Sequence, residues 1–329
     1  MNLADFDYNL PKELIAQYPL EKRDEAGLLV LNRAKHSIEH RHFLDITDYL
    51  REGDLLVANN TKVLPSRIIG RRSTGGRVEF LLLGRREGST FDTLIKPGRI
   101  KIGEKILFNG GKISGIVSDK GKITFDVGNT DDIYKLGAMP LPPYIKREPE
   151  VSDSVYYQTV YAKEEGAVAS PTAGLHFTKS LIDSISMRGI NMAYLTLHVG
   201  YGTFKPVKSQ DIREHKMEEE YFKIGDETVR LIEDARKGQK RIIAVGTTSC
   251  RSLESYADGM KEGHTGLFIY PGYKFKMTDC LITNFHLPRT TLFMLVCAFA
   301  GEKLIKEAYR EAIDKKYRFY SYGDAMLIV

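Results

Sequence analysis

The sequence predicts an α/β fold in which one mixed α/β domain is built from both ends of the chain and a small antiparallel β-barrel domain is inserted between them. Short β-rich runs separated by glycine turns fill residues 62–150 without a helical pattern. Helical and strand patterns alternate in residues 151–329, and residues 1–61 show the same mixture. Consecutive short strands are typical of barrels or sandwiches, whereas alternating helices and strands build α/β domains. We therefore predict a discontinuous α/β domain of residues 1–61 and 151–329 around a barrel domain of residues 62–150.

The inserted segment contains the strands predicted for the barrel. Its β-rich runs are separated by turns such as TGG, NGG and DKG, in which glycine permits a tight reversal of the chain. The six runs are SRIIGRR, RVEFLLLG, FDTLIKP, EKILF, KISGIVS and KITFDV. The stretch LPPYIKREPE follows them, and its three prolines in ten residues indicate a linker back to the α/β domain.

The α/β part contains strands and helices with recognisable ends. Near the start of the chain, GLLVLNR and DLLVANN are apolar strand runs. Thr178 is placed to cap a helix over TKSLIDSISMRG, and Gly238 is placed to end a helix over GDETVRLIEDARKG. The other predicted elements are the strands INMAYLTLHV, QKRIIAVGTT, CLITNF and DAMLIV, the buried helix TTLFMLVCAFAG and the surface helix EKLIKEAYREAIDKKY.

Composition argues against a secreted or membrane-spanning protein. The opening MNLADFDYNL lacks the basic start and apolar run of a secretory signal, and no segment approaches the ~20 apolar residues that cross a bilayer. Cys250, Cys280 and Cys297 match neither a metal-binding spacing nor an even disulfide set, which favours a cytoplasmic protein without a membrane partner. All three are predicted to be core residues. A lowered pKa for Cys250, near a helix start, is the less favoured alternative.

Positive charge is concentrated in the inserted segment. Residues 62–150 carry 17 Lys and Arg against 10 Asp and Glu, whereas the rest of the chain carries 31 against 33. An anionic partner such as a nucleic acid would be attracted to this segment by its field and by counterion release. A lysine-rich soluble surface without a partner explains the charge equally well, so charge alone does not decide.

Polar chemistry is concentrated in four loops at the predicted strand ends of the α/β domain, where sheets of this kind usually bind ligands. The loops comprise residues 169–178, 198–207, 245–252 and 283–291. Three of them carry a histidine, namely His176, His198 and His286. Imidazole suits proton transfer near neutral pH, although a single histidine on an apolar strand is more often a hydrogen-bonded core residue. We expect the loops to form one pocket that the three histidines share.

Common ligand motifs have little support in the sequence. His215 and Glu218 are spaced for one helical face, but no histidine pair has the tight spacing of common zinc motifs, so no metal is predicted. The stretch VGTTS places hydroxyls and backbone N–H groups at a helix start, where an anion can bind or where the helix is simply capped. The chain has no GxGxxG after a strand and no GxxxxGK[ST], which disfavours dinucleotide and nucleoside-triphosphate enzymes.

Longer motifs connect the chain to one family along almost its whole length. In order they are DFDYNLPKELIAQYP, NNTKVLPSRI, GGRVEFLLL, YQTVYA, ASPTAGLHFT, LTLHVGYGTFKPV, VGTTSCRSLES, FIYPGYKF, TNFHLPRTTLFMLV and YRFYSYGDAMLI. Together they resemble the S-adenosylmethionine:tRNA ribosyltransferase-isomerases of queuosine biosynthesis. The resemblance implies a β-barrel inserted in an α/β domain and no metal.

The resemblance also implies a reaction and its substrates. The family transfers and isomerises the ribosyl part of S-adenosylmethionine onto the 7-aminomethyl-7-deazaguanine wobble base of tRNA, giving epoxyqueuosine and releasing adenine and methionine. S-adenosylmethionine is then a co-substrate and no cofactor is needed. The expected partner is a tRNA with a GUN anticodon that carries the precursor base, and the chain is expected to act as a cytoplasmic monomer. This sequence departs from the family pattern at Glu218, where a histidine is usual, and at Ser66, Ser170, Val155 and Tyr156.

The chemistry of this reaction assigns roles to particular residues. A base of near-neutral pKa is needed to remove a proton beside the sulfonium, and departing adenine benefits from a proton donor. We expect His198 and His176 to share these roles, with His286 third. The residues expected to bind S-adenosylmethionine are Thr172, Gly174, Phe177, Gly200, Tyr201, Gly202, Thr247 and Thr248. The residues expected to contact tRNA phosphates are Arg67, Arg71, Arg72, Arg77 and Lys96.

Two other classes of function stay open on the residues alone. A tRNA-binding module without catalysis would explain the basic barrel but would leave the loop histidines idle. A conventional methyltransferase would also use S-adenosylmethionine, but the glycine-rich first turn of that class is missing.

Overall fold

A computed structural model of the chain describes residues 1–204 and 207–329. Its strands in these ranges are β1 Gly27–Asn32, β2 Ser37–His42, β3 Leu55–Asn59, β4 Thr61–Val63, β5 Arg67–Arg72, β6 Arg77–Arg85, β7 Thr90–Lys96, β8 Lys105–Phe108, β9 Ile113–Asp119, β10 Lys122–Asp126, β11 Glu164–Ala167, β12 Asn191–Leu197, β13 Glu220–Ile224, β14 Ile242–Val245, β15 Glu262–Thr265, β16 Cys280–Asn284 and β17 Ala325–Ile328. The α-helices are α1 Asp131–Tyr134, α2 Asp153–Tyr156, α3 Lys179–Met187, α4 Asp226–Lys237, α5 Thr247–Ala257, α6 Thr291–Ala300 and α7 Glu302–Asp314. Short 3-10 helices span Leu3–Phe6, Lys12–Leu14, Arg23–Glu25, Phe43–Asp48, Asn109–Gly111, Thr172–His176, Tyr201–Phe204 and Ile212–Glu214.

A nine-stranded mixed sheet forms the centre of the α/β part, in the order β15-β13-β12-β3-β14-β16-β17-β1-β2. The neighbours β12, β3, β14 and β16 are all parallel, so their carboxyl ends meet at one edge of the sheet. Strand β17 runs antiparallel to β16, which brings the residues before β17 to that same edge. Four strand ends and one strand start therefore surround a single area.

Both faces of the sheet are covered by hydrophobic cores. Alternate residues of each strand enter opposite cores, as Ile242 and Ala244 on one face of β14 and Ile243 and Val245 on the other illustrate. Helices α4, α5, α6 and α7 contribute to the first core, and α3 with the Phe43–Asp48 turn contributes to the second. Burial on both faces explains why these strands read as continuous apolar runs in the sequence.

The inserted segment folds into a closed six-stranded barrel, in the order β10-β7-β6-β5-β8-β9, with antiparallel pairing throughout. Its interior holds a separate core that includes Ile68, Phe80, Phe91 and Phe108. Each of the six runs predicted from the sequence forms one of these strands, and the predicted fold class is confirmed. All six strands lie within residues 62–150, although the domain boundaries themselves stay a prediction.

A two-stranded parallel sheet joins the barrel to the α/β part, and we call it the neck. It pairs β4, which precedes the barrel, with β11, which follows it. Lys62 Nζ lies 2.9 Å from Glu165 Oε1 across the pair. The strand that leads into the barrel is therefore paired with a strand that comes later in the chain, after the segment that leaves the barrel.

The helix ends and the cysteines agree with the sequence patterns. Thr178 Oγ1 accepts from the Leu181 N–H at 3.2 Å and caps α3, and Gly238 follows the last residue of α4. All three cysteines are buried, and burial raises the pKa of the Cys250 thiol, so the alternative of a lowered pKa is wrong. Among the described residues, none of the helices combines the length and apolar composition needed to span a membrane.

Candidate active site

Asn59 holds together the loops at the carboxyl edge of the sheet. Its Oδ1 accepts from the N–H groups of Thr61 at 3.1 Å and Leu197 at 3.0 Å. Its Nδ2 donates to the Leu197 carbonyl at 2.9 Å and contacts Thr248 Oγ1 at 3.4 Å. One buried amide thus ties the ends of β3 and β12 to the start of α5.

A cavity of about 510 Å³ opens at this edge of the sheet, and we call it the large cavity. Loop residues 169–173, 246–248 and 283–288 form much of its wall, and Val199 adds one residue from the loop after β12. All four predicted loops therefore contribute to one cavity. Its volume is in the usual range for a site that binds a small molecule.

The start of helix α5 forms a polar end of the large cavity. Gly246, Thr247 and Thr248 line the wall there, and no side chain of the described residues caps this helix. Gly246 has a φ of 92°, a backbone conformation that glycine adopts without strain. The first N–H groups of a helix lack intrahelical partners, so this end can bind an anionic group such as a carboxylate.

His286 is the only one of the three predicted histidines that lines the large cavity described here. Its Nε2 lies 2.8 Å from Thr283 Oγ1, its backbone N–H donates to the Tyr309 hydroxyl at 3.0 Å, and the Tyr8 hydroxyl donates to its carbonyl. Burial lowers the pKa of His286 to about 3. The imidazole is therefore neutral near pH 7. Because the Thr283 hydroxyl occupies Nε2, the ring nitrogen that can contact a ligand is Nδ1.

His176 lies one side chain away from the large cavity. Its Nε2 is 3.2 Å from Asn284 Nδ2, and its ring packs against Phe43 with centroids 5.0 Å apart. It lines a separate cavity of only about 20 Å³. Burial lowers the pKa of His176 to about 4, so this imidazole is also neutral near pH 7.

His198 lies against the neck instead of the large cavity. Its Nδ1 is 2.9 Å from Thr61 Oγ1 of β4, and a Cβ on Gly166 of β11 would lie within 3 Å of its ring. The ring stacks on Tyr221 with centroids 5.8 Å apart. Burial lowers the pKa of His198, opposed by the nearby Glu164 carboxylate. The three histidines therefore do not share one pocket, and their catalytic roles stay predictions.

The residues predicted to bind S-adenosylmethionine divide between the cavity and the interior. Thr172, Thr247 and Thr248 line the large cavity. Phe177 is fully buried against Phe43, with ring centroids 5.1 Å apart, because the chain turns away from the cavity before α3. A Cβ on Gly174 would overlap the Tyr161 hydroxyl, so Gly174 allows close packing beneath that ring.

The two glycines on either side of Tyr201 face carboxylates. The Gly200 N–H donates to Glu220 Oε1 at 2.9 Å, and a Cβ on Gly202 would overlap the Glu218 carboxylate. Tyr201 lines a second cavity of about 420 Å³. The loop after β12 therefore lies beside the large cavity, and Val199 is the residue of this loop that lines the cavity.

The second cavity lies between the barrel and the segment that leaves it. Arg67 and Lys96 of the barrel and Tyr201 of the α/β part line it. Pro143 and Lys146 line both this cavity and the large one. The two cavities are therefore neighbours that share a wall.

Four of the five predicted tRNA-binding residues share one outer face of the barrel. Strand alternation places Arg67 and Arg71 of β5 on the face that carries Arg77 of β6 and Lys96 of β7. Arg71 and Arg77 are directly opposite each other and both are exposed. Arg72 has the opposite parity and donates to the Arg99 carbonyl at 2.6 Å.

Arg67 is already engaged in ion pairs on this face. Its guanidinium lies 2.8 Å from Glu79 and 2.6 Å from Glu148, and the pair with Glu79 raises its pKa. Arg71 and Arg77 form a like-charged pair across neighbouring strands, which is unfavourable unless an anion lies near them. Arg77 has one such neighbour, Glu148, at 3.9 Å, and both arginines are exposed. These two are the better placed of the arginines to bind phosphate.

Comparisons with known proteins assign the chain to a family. A family model described as a queuosine biosynthesis protein matches residues 3–328. The S-adenosylmethionine:tRNA ribosyltransferase-isomerase of Sulfurihydrogenibium is 53% identical over the full length of both chains, and that of Aquifex aeolicus is 51% identical over the full length of both. The chain belongs to the queuosine biosynthesis protein family. A crystal structure of S-adenosylmethionine tRNA ribosyltransferase from Thermotoga maritima is 37% identical, covers 99% of this chain and 100% of its own, and has a TM-score of 0.58.

Sequence reasoning overlooked the two buried asparagines of this family member's site. Asn59 and Asn284 each end a central strand, and each is at most 2% exposed. The signal was present, because a polar residue at the carboxyl end of an apolar parallel strand points to the binding edge. The prediction was made instead for His286, two residues after Asn284 in the same motif.

The described residues contain no group of three or more His, Cys, Asp or Glu side chains arranged to hold a metal ion. His215 packs edge-on against Phe268, with ring centroids 5.3 Å apart. The expectation that no cofactor is needed stays a prediction.

Proposed function

We propose that this chain performs the reaction of its family in the large cavity: transfer and isomerisation of the ribosyl part of S-adenosylmethionine onto the 7-aminomethyl-7-deazaguanine wobble base of tRNA, with release of adenine and methionine. The observation that carries the proposal is the position of the cavity. It lies at the carboxyl edge of the parallel strands, between a free helix start and a buried neutral imidazole, in a chain 53% identical to a ribosyltransferase-isomerase along its full length.

S-adenosylmethionine fits the two chemically different ends of the cavity. The methionine carboxylate is placed at the start of α5, where Thr247 and Thr248 add hydroxyls to the helix N–H groups. Leu287, Pro288 and Leu292 form an apolar wall away from that end. This wall suits the nucleoside, whose base buries apolar surface.

The proton transfers are assigned first to His286 on its position alone, because it lines the cavity. Its lowered pKa leaves the imidazole unprotonated near pH 7 but also makes it a weak base. A neutral imidazole can take a proton from the carbon beside the sulfonium and return it to departing adenine. His176 is proposed to act through Asn284, which separates it from the cavity. His198 stays a proton-transfer candidate to be tested, although its ring contacts the neck and not the large cavity.

The tRNA is proposed to bind the basic outer face of the barrel and to deliver its base through the second cavity. Arg71, Arg77 and Lys96 supply the charge, and Tyr201 supplies a ring beside which a base can stack. The wall shared by the two cavities gives the flipped base a short route to the large one. A GUN anticodon, a monomeric state and a cytoplasmic location are proposed with it, on the sequence resemblance alone.

One incubation tests the function. The protein is mixed with S-adenosylmethionine, a chelator, and tRNA carrying the precursor base, and the small-molecule products are separated. Release of adenine and methionine in equal amounts supports the proposal, and a requirement for added metal would contradict the absence of a cofactor. S-adenosylhomocysteine would indicate a methyltransferase, and no product at all would indicate a binding module. Matched tRNA that lacks the precursor base is the control and should yield no adenine.

A further inference from the structure

The orientation of the Asn284 amide is determined by its neighbours. Nδ2 donates to the Tyr320 carbonyl at 3.0 Å and contacts His176 Nε2 at 3.2 Å. A carbonyl only accepts, so the NH₂ group and not the oxygen must face Tyr320. His176 Nε2 then accepts, and its proton is on Nδ1. Both donors of the amide are used, and the side chain is locked by two partners.

The other atom of this amide is left without a partner. Asn284 Oδ1 is buried, has no hydrogen bond in the described residues, and belongs to a residue that is 2% exposed and lines the large cavity. A buried acceptor without a donor is costly, so native proteins rarely leave one empty. A ligand that brought an N–H or O–H group to this position in the cavity wall would satisfy the acceptor.

The surroundings of Asn284 indicate which part of the ligand arrives there. Tyr144 and Tyr320 both line the cavity and are in contact, with ring centroids 3.9 Å apart and ring planes inclined at 49°. The Asn284 amide donates to the Tyr320 carbonyl. Along the sheet edge, the helix start that suits a carboxylate follows β14, Asn284 ends β16, and Tyr320 precedes β17. Neighbouring strands are about 4.8 Å apart, so the aromatic wall lies on the far side of Asn284 from the carboxylate end.

The donors of S-adenosylmethionine can be compared with this position. Its ammonium group carries a charge, and no carboxylate is among the residues that line the described cavity. Removing an unpaired ammonium from water costs much more than burying a neutral amine. The ribose hydroxyls lie between the two ends of the molecule. The adenine lies at the end of S-adenosylmethionine that an aromatic wall would bind, and its exocyclic amino group is the neutral donor at that end.

We propose that Asn284 Oδ1 accepts a hydrogen bond from the exocyclic amino group of the adenine of S-adenosylmethionine, and that His176 is a positioning residue that fixes the Asn284 amide for this contact. The inference rests on the proposed function. It makes Asn284 the residue by which the enzyme distinguishes adenine from other purines. It also gives His176 a role that needs no contact with the substrate.

The first experiment uses the unsubstituted protein and varies the ligand. Calorimetry measures the binding of S-adenosylmethionine and of its analogue with purine in place of adenine, each with and without the tRNA anticodon stem-loop. Loss of the amino group leaves Oδ1 unpaired, so the analogue should bind about 10- to 100-fold more weakly. Equal affinities would overturn the inference and leave the proposed function intact. Failure to bind S-adenosylmethionine under either condition would overturn both.

The second experiment tests whether Asn284 is the residue responsible for the preference for adenine over purine. Asn284→Leu should bind the two ligands with affinities within about 3-fold of each other, because the acceptor is gone. Asn191→Leu, which alters an exposed amide at the opposite edge of the sheet, should keep the full preference for adenine. A full preference in Asn284→Leu would place the acceptor elsewhere and overturn the inference. Should Asn284→Leu fail to fold, the ligand series on the unsubstituted protein decides.

His176 is tested through the same ratio. His176→Phe keeps a ring beside Phe43 but cannot accept from Asn284, so the amide has one partner instead of two. The preference for adenine should shrink several-fold while both ligands still bind. An undiminished preference in a folded His176→Phe protein would remove the positioning role, and no merely structural role predicts a change in this ratio.

Discussion

The two buried imidazoles at the site should make the folded chain sensitive to mild acid. Burial lowers the pKa of His286 to about 3 and that of His176 to about 4, whereas an unfolded histidine titrates at about 6.5. Between these values the unfolded chain binds protons that the folded chain does not, so stability is complete above about pH 7 and falls as the pH falls. From pH 7 to pH 5 each histidine should cost about 2 kcal/mol, and both about 4 kcal/mol, a large share of the 5–15 kcal/mol typical of a domain.

Urea unfolding at pH 7 and pH 5 measures this loss, and a substitution assigns it. His286→Gln removes one titrating group while keeping a polar side chain near Thr283. Between pH 7 and pH 5, the free energy of unfolding of His286→Gln should fall by about 2 kcal/mol less than that of the unsubstituted chain. Replacement of the exposed His36 by Gln is the control and should leave the loss unchanged. An unchanged loss in His286→Gln would show that His286 is not held neutral by burial, and the proposed base would need another explanation.

The remaining predictions concern the neck, the barrel face and the start of α5. His198→Ala should lower the single-turnover rate ~10²-fold or more if this imidazole transfers protons; a near-normal rate with weakened tRNA binding would reject that role and leave it as a contact of the neck. Replacing Arg71 and Arg77 together by Glu should weaken tRNA binding and reduce the slope of log affinity against log salt by about 1 to 2, and an unchanged slope would remove this face from the binding surface. Gly246→Ala, at φ 92°, should weaken S-adenosylmethionine binding about 10-fold because it displaces the start of α5. Gly259→Ala is the control: it has a φ of 94° and open space around it, so it should cost similar backbone strain without affecting affinity.

The strands that could be predicted from the sequence are those whose pattern of apolar residues reflects which of their faces are buried. The barrel runs alternate between an inner and an outer face, and the central strands are apolar on both faces, so each type has a recognisable period. Most of the strands that were missed are polar or very short, and β13, with the alternating sequence EYFKI, is the exception. β2 has the sequence SIEHRH and lies at one end of the large sheet, and β15 lies at the other. Edge strands carry charged residues that discourage pairing with other chains, and this hides them from a search for apolar alternation.

The loops of the site could be predicted, but the directions of their side chains could not. Thr172 and His176 both belong to the 3-10 helix Thr172–His176, in which successive residues turn by about 120°. Thr172 reaches the large cavity, whereas His176 turns toward Phe43 on the other side. His198 alternates with Leu197 and Val199, which enter the core, so its ring points out of that core toward the neck. Proximity in sequence to a binding loop therefore did not imply contact with the cavity.

The insertion of the barrel explains why the basic face and the large cavity lie near each other. The chain enters the barrel after β4, and the segment that leaves the barrel passes over the carboxyl edge of the sheet before the chain reaches β11. Pro143 and Lys146 of that segment wall both cavities, so the residues that end the barrel domain also complete the site in the α/β domain. His198 touches both strands of the neck from the end of β12. The shared wall and the end of β12 are thus the two places at which residues from the barrel side of the structure adjoin residues of the large cavity.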